Sequence, residues 1–237
     1  MTDQLLLAIE TSTPRASVAL ATMPPGPQIA IANQPPEETT ACWLAPAAKQ
    51  LLADRGATPA DVGLVAVSCG PGSFTGLRLG VITGKTLAYA LGAELIAVDT
   101  LEVLASQLPD SIDTAEVVID AQRRQVYTAR LQRDADRTWR RSGELAIVDD
   151  DAWLAALPAG ATVTGPALSR LAKRLPDQVS AADRESWLPA AEAVARLAWQ
   201  RYKQGQRDDF WQLVPRYVRR SAAEDKWDER HATSDRC

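Results

Sequence analysis

Histidine is almost missing from this sequence. One residue of that type, His231, occurs among 237, in a polar stretch near the C-terminus. Any metal site that needs two histidines is thereby excluded, the HExxH zinc hydrolases included. A Ser-His-Asp or Cys-His triad would have to recruit that one residue. Cysteine is scarce as well. Cys42, Cys69 and Cys237 show no CxxC spacing and leave one thiol over, which points to a reducing, cytoplasmic setting. There is no excess of positive charge. A formal net charge of −4 gives no general attraction to nucleic acid or membrane. No apolar run approaches the roughly 20 residues of a membrane helix, and Leu5 to Ile9 is too short, without a basic flank, for a signal peptide. What is present is 46% hydrophobic residues, enough for one large domain or two small ones.

The chain is organised around Ser68-Cys69-Gly70-Pro71-Gly72-Ser73-Phe74-Thr75-Gly76-Leu77-Arg78-Leu79-Gly80. The apolar run Val62 to Val67 leads in as a buried strand. Gly70-Pro71-Gly72 is a turn signal, and Ser73 suits the N-cap of a following helix. A strand, a glycine turn and a helix N-terminus can cradle an anion, or can simply make a tight crossover. With no lysine in the turn it is not a P-loop. In the helix, Gly76, Gly80, Gly84, Ala88 and Gly92 recur every four residues and form a ridge of small side chains. Each interior glycine costs about 1 kcal/mol against alanine, so close approach of something is expected. That something is either the protein's own sheet or the surface of a second protein. Leu77, Val81, Ile82, Leu87 and Leu91 supply apolar bulk beside the ridge.

Taken in order, strands are expected at Leu5 to Glu10, Ala16 to Ala21 and Ile29 to Ala32, with connections short enough for antiparallel neighbours. Thr11, Ser12 and Thr13 offer hydroxyls that either bond a phosphate or close the turn. A helix near Thr40 to Arg55 carries Pro46, which should kink it or delay its start, and Gly56 ends it. The glycine helix follows its strand, then a strand at Ala93 to Val98 and a helix over Leu101 to Leu108 capped by Asp99 or Thr100. The second half repeats the pattern. Strands fall at Glu116 to Asp120, Gln125 to Arg133 and Glu144 to Val148, with a helix from Asp149 to Leu157. Then come a strand at Ala161 to Thr164, a helix from Ala167 to Leu175, a short strand near Val179, and a last helix from Ala190 to Lys203 stopped by Gly205. Pro215 to Arg219 is expected as an ordered anchor, and Ser221 to Cys237 as a charged tail without periodicity.

Two βββαβαβα halves describe a duplicated α/β fold of the actin/hexokinase/Hsp70 kind, in which a nucleotide sits between two lobes. The expected division is an N-terminal lobe over 1–99, a C-terminal lobe over 100–220 and a disordered tail over 221–237. Arg123, Arg124, Arg130, Arg133, Arg137, Arg140 and Arg141 crowd into one meander, either as contacts for RNA phosphates or as a solvated face balanced by Asp134 and Asp136.

Several blocks resemble one family. Leu7-Ala8-Ile9-Glu10-Thr11-Ser12, the Gly70 to Arg78 block, Ile119-Asp120-Ala121 with Val126-Tyr127, and Pro215-Arg216-Tyr217-Val218-Arg219 are similar, in that order, to the bacterial TsaB (YeaZ) family. The resemblance covers roughly residues 5 to 220. It implies the non-catalytic, dimerisation subunit of the machinery that makes threonylcarbamoyladenosine beside the anticodon of ANN-decoding tRNAs. The implied partners are a TsaD-type catalytic subunit, which carries a histidine pair for its metal, and a TsaE-type ATPase. No cofactor of its own is implied, ATP and magnesium being used by the complex, and tRNA is met only through the complex. Docking is implied through the first two helices, giving Leu44, Ala48, Leu51, Gly76, Leu79, Gly80, Thr83, Gly84 and Leu87 as the expected partner surface, with a homodimer through the same helices when the partner is absent. Glu10, Thr11, Ser12, Gly72, Ser73 and Asp120 form an expected degenerate nucleotide cleft. The alternative is a nucleotide-binding ATPase or transferase acting on its own through that cleft. The sequence departs from the family at Thr40, where many members have histidine, and at Gln122 to Gln125, where many read an arginine followed by Gly-Glu.

Overall fold

The computed structural model describes residues 4–26 and 29–217. Two sheets carry the fold. The first is built from β1 (Leu5–Glu10), β2 (Ser17–Thr22), β3 (Ala30–Asn33), β4 (Val62–Ser68) and β5 (Glu94–Val98), in the order β3-β2-β1-β4-β5. β1, β2 and β3 are antiparallel neighbours, and β4 and β5 run parallel to β1. The helices of this half are α1 (Thr40–Asp54), α2 (Phe74–Leu91) and α3 (Thr100–Ser106).

The second sheet is built from β6 (Thr114–Asp120), β7 (Gln125–Arg133), β8 (Trp139–Arg141), β9 (Ala146–Asp149), β10 (Thr162–Thr164) and β11 (Ser180–Ala181). Its order is β11-β10-β6-β7, with β8 and β9 both pairing β7. Helices α4 (Asp150–Ala156), α5 (Leu168–Leu171) and α6 (Ala191–Lys203) complete the chain. Substituting β6 for β1, β7 for β2 and β10 for β4 turns one strand order into the other. This is the duplicated two-lobed α/β architecture expected from the element pattern.

Alternation with a period of two decides what covers each sheet. Leu5, Leu7 and Ile9 point to one face with Val65 and Val67, under Trp43, Leu44 and Leu51 of α1 and Val81 and Ala88 of α2. Leu6 and Ala8 point to the other face with Leu64, Ala66, Ile96 and Val98, and there the cover is α6, through Ala191, Val194, Ala195 and Ala198. So the last helix, encoded within 100–220, packs on the first sheet. Conversely α3, which follows β5, packs on the second sheet among Val117, Ile119, Leu131 and Trp139. The opposite face of the second sheet is covered by Trp153, Leu154 and Leu168 of α4 and α5.

Helix ends follow their side chains. Ser73 accepts a hydrogen bond from Gly76 N at 3.3 Å, and Asp99 accepts one from Leu101 N at 2.8 Å. Gly56 and Gly205 follow α1 and α6 with φ of 67° and 80°. Helix α1 runs unbroken through Pro46. Two details differ from expectation. The meander contains an additional strand, β8. The helix expected over 167–175 is α-helical only to Leu171 and tightens to a 3-10 turn over Ala172–Arg174. The expected anchor is described only as far as Tyr217, so Val218, Arg219, the 221–237 tail, His231 and Cys237 lie outside the described residues.

Candidate functional site

Two turns meet at the C-terminal ends of β1 and β4. Glu10 ends β1 fully buried, and Thr11, Ser12 and Thr13 behind it are buried too. One carboxylate oxygen of Glu10, Oε1, accepts hydrogen bonds from Ser12 N and Ser12 Oγ, each at 2.5 Å. The other, Oε2, makes no hydrogen bond of good geometry. Burial pushes the Glu10 carboxyl up to about 7, with hydrogen bonds from Ser12 and Ser68 pulling the other way. The second turn runs through Gly70, with φ of 110°, to Gly72 and Ser73. Ser73 N donates to Ser12 O at 2.7 Å, and a side chain on Gly72 would collide with that same carbonyl. Glu10, Thr11, Ser12, Gly72 and Ser73 are therefore brought together. Asp120 ends β6 on the second sheet, exposed; its Oδ1 accepts from Gln122 N at 2.8 Å and from Arg170 Nη2 at 3.4 Å.

The glycine ridge faces inward. A methyl group on Gly76 would overlap Thr11 O, on Gly80 Thr11 Oγ1, and on Gly84 the Val67 side chain. Close approach of α2 to β1 and β4 is what offsets the helix cost of these glycines. Leu44, Ala48 and Leu51 likewise lie buried in the core between α1 and the sheet. Six of the nine expected partner-surface residues (Leu44, Ala48, Leu51, Gly76, Gly80 and Gly84) thus serve the protein's own packing, while Leu79, Thr83 and Leu87 are half-buried at its edge. The outward residues are others: Ala41, Ala45, Pro46 and Lys49 on α1, and Arg78, Ile82, Thr86 and Tyr89 on α2.

Sequence reasoning missed one neighbour of that outward face. Residues 208–217 run back along α2 as a strap. Asp208 N donates to Leu95 O at 2.8 Å, and Ala97 N to Asp208 Oδ2 at 2.8 Å, so the strap starts on the edge strand β5. Lys85 Nζ donates to Leu213 O at 2.8 Å. At the far end Arg216 N donates to Cys69 O at 2.7 Å, and Arg216 Nη1 reaches Asp99 Oδ2 at 3.2 Å. The apolar cluster Phe210-Trp211-Gln212-Leu213-Val214 was the available signal.

On the second sheet the arginines are largely matched. Arg130 pairs with Glu116 at 2.6 Å, Arg137 with Asp113 at 2.5 Å and Arg140 with Asp134 at 3.3 Å. Arg133 stacks over Trp139 at 4.7 Å. These four arginines have partners on the protein's own surface. Beside the Gln122-Arg123-Arg124 turn, whose three φ values are positive, Arg170 bonds the buried Asp150. Among the described residues no group of three or more His, Cys, Asp or Glu side chains is arranged to hold a metal ion, and no helix is long and apolar enough to cross a membrane.

Comparison with known proteins gives the following. A family model described as TsaD, tRNA N6-adenosine threonylcarbamoyltransferase, matches residues 37–183. The tRNA threonylcarbamoyladenosine biosynthesis protein TsaB of Escherichia coli (strain K12) is 32% identical over 228 residues, 92% of this chain and 96% of that one. An uncharacterized protein of Mycobacterium tuberculosis (strain ATCC 25618 / H37Rv) is 35% identical over 125 residues, 53% of this chain; the match spans 58% of that relative's length. Among solved structures, YeaZ from Pseudomonas aeruginosa superposes with a TM-score of 0.77 at 28% identity, covering 91% of this chain and 100% of that one.

Proposed function

Because this chain belongs to the TsaB (YeaZ) family, we infer that it takes part in tRNA threonylcarbamoyladenosine biosynthesis as a non-catalytic subunit that docks on and activates a TsaD-type transferase. The observation that carries the docking role is the outward face of α2. Ile82 and Tyr89 stand exposed on a helix whose other side is fully used by the protein's own sheet. An exposed apolar face on an otherwise well-buried element marks a protein contact. Ala45 and Pro46 of α1 extend that face, and Leu79, Thr83 and Leu87 border it. Activation is then a coupling free energy: docking favours the active arrangement of the partner, and the partner's active arrangement favours docking equally.

The chemistry resides in the partner, with the ATP and magnesium that the complex uses. A TsaE-type ATPase completes the complex, tRNA is reached only through it, and the same helices pair two copies of this chain when the partner is absent. Reconstitution tests the reading. tRNA, threonine, bicarbonate, ATP and the adenylate-forming enzyme are combined with this protein alone, with the TsaD-type and TsaE-type proteins alone, and with all together. Threonylcarbamoyladenosine in digested tRNA is expected from the complete mixture only. Product without the TsaD-type subunit would overturn it.

A second reading draws on Glu10. A buried carboxyl titrating near neutrality beside Ser12 and Ser73 is a feature of catalytic acids and bases. On that reading the chain binds and hydrolyses a nucleotide by itself. Titration of the purified protein with ATP and magnesium separates the two: micromolar binding with hydrolysis supports the enzyme, and its absence supports the scaffold.

A further inference from the structure

We propose that the 208–217 strap is a latch on the turn that follows β4. Held down, its Arg216 end fixes that turn and the cap of α3. Lifted, it frees both, and it lifts as one unit while the two sheets stay folded. The latch is internal to this chain and stands whether or not the outward face of α2 docks a partner.

Arg216 meets the turn by three routes. Its N–H donates to Cys69 O at 2.7 Å. Its carbonyl oxygen would lie 2.8 Å from a methyl group on Gly70, so the strap presses the turn at a distance that glycine permits. Its guanidinium reaches Asp99 Oδ2 at 3.2 Å. The other oxygen of that carboxylate, Oδ1, caps α3 through Leu101 N at 2.8 Å, and Thr100 N donates back to Gly70 O at 2.9 Å. The Tyr217 ring lies 4.5 Å from that of Phe74, the first residue of α2. One short stretch of strap therefore touches the turn, the start of α2 and the cap of α3. The turn holds the end of β1 through Ser73 N and Ser12 O, and α3 packs on the second sheet through Leu101, Leu104 and Ala105. A displacement of Arg216 thus reaches a turn of the first sheet and a helix of the second.

The strap itself is lightly held. It forms no strand or helix, and Asp209 organises a turn within it by accepting from Trp211 N at 2.7 Å and Leu213 N at 2.9 Å. Phe210 and Leu213 are half-buried against the first core, while Trp211 and Val214 face solvent. The Arg216 side chain is 64% exposed, and an ion pair so open contributes little. What lies beneath is the reverse: Cys69, Asp99 and Thr100 are buried. A segment with few buried contacts and solvent-exposed hydrogen bonds opens well below the free energy of global unfolding. Its middle is tied to α2 through one side chain, Lys85, and its end to the turn through one residue, Arg216, so release at either point is passed along ten residues of backbone. The outward face of α2 and the turn then share one equilibrium. Whatever holds the strap down stiffens the turn, and whatever stiffens the turn holds the strap by the same factor.

Amide hydrogen exchange of the full-length chain, read residue by residue by NMR in low urea, tests the latch. In the wild-type chain the amides of Leu213, Arg216, Thr100 and Leu101 are expected to share one opening free energy and one small urea slope, both below those of Ala8 and Ala66 in the first sheet. Lys85→Met keeps the apolar stem and removes the bond to Leu213 O. It is expected to speed exchange at Leu213 by about fivefold or more, and at Arg216, Thr100 and Leu101 by the same factor, with Ala8 and Ala66 within about twofold of wild type. Arg216→Met is expected to give the same pattern from the other end. Faster exchange at Leu213 with Thr100 and Leu101 unchanged would overturn the proposal, since the strap would then lie on the turn without governing it. An equal rise at Ala8 and Ala66 would overturn it too, because the whole fold would have loosened. So would unchanged exchange at all six amides in both variants.

Discussion

Gly80 of α2 lies directly over the Thr11 hydroxyl, so that a methyl group at position 80 would take the space that oxygen fills. Replacing a mid-helix glycine by alanine ordinarily gains about 1 kcal/mol. Here overpacking against a buried turn works the other way, at about 1–3 kcal/mol. Gly80→Ala is expected to lower stability by up to about 2 kcal/mol net in urea unfolding. Gly92→Ala at the left-handed C-cap provides a contrasting loss from backbone strain alone, because nothing lies within 4 Å of a methyl group there.

Glu10 should make stability depend on pH. Its carboxyl is raised from 4.5 to about 7 in the folded protein, so between those values the folded state holds a proton that the unfolded state has lost. Stability contributed by this group is complete below about pH 4.5 and falls as pH rises through 7, by an amount on the order of 3 kcal/mol. Glu10→Gln, which keeps the shape without the charge, is expected to flatten that part of the profile and to raise stability at pH 8. Chemical denaturation at half-unit steps from pH 5 to pH 8 would reveal it, and superimposable profiles would contradict the assignment.

Arg170 holds three groups of the second sheet together: Asp150, Asp120 Oδ1 at 3.4 Å and Gln125 O at 3.3 Å. Asp150 is buried, and its Oδ1 has no hydrogen-bond partner. Removing the cation leaves a buried carboxylate unbalanced, at a cost of about 3 kcal/mol. Arg170→Met is expected to destabilise by roughly that amount, whereas Arg196→Met, in an exposed pair with Glu192, should cost under about 1 kcal/mol. Guanidinium titrations of the two variants make the comparison.

The thiols should separate by reactivity. Cys42 is exposed, whereas Cys69 is buried and its thiol is pushed up to about 12, chiefly by burial. In a Cys237→Ser background, one thiol is expected to react with Ellman's reagent at once under native conditions. The second should react only as the protein unfolds. Fast reaction of both would place Cys69 outside the core.

The strands of the first sheet were legible because Leu5 to Ile9 and Val62 to Val67 carry no polar side chain, as expected of strands covered on both faces. Strand β8 was not. It is three residues long, and Arg140 and Arg141 point to solvent, so only Trp139 carries a signal. The faces of α1 and α2 were harder to read for a different reason. A ridge of small residues at spacing four reports close approach without saying what approaches, and here the answer was Thr11 and Val67 of the same chain. The strap had no periodicity to read. Its course is fixed by ties to residues more than a hundred positions away, Leu213 to Lys85 and Arg216 to Asp99, which no local pattern encodes. The meeting of the two turns was easier to foresee, since Glu10-Thr11-Ser12 and Gly72-Ser73 are local motifs that need only that β1 and β4 be neighbours.

The covering of the first sheet by α6 sets an order of events in synthesis. Its five strands are complete once Val98 has emerged, yet Leu6, Ala8, Leu64, Ala66, Ile96 and Val98 lack the cover of α6 until Lys203 has emerged as well. At about 5–20 residues per second that interval lasts roughly 5–20 s. For that time the nascent chain carries a finished sheet with one apolar face short of its main cover, and a chain ending before Ala191 would keep it so.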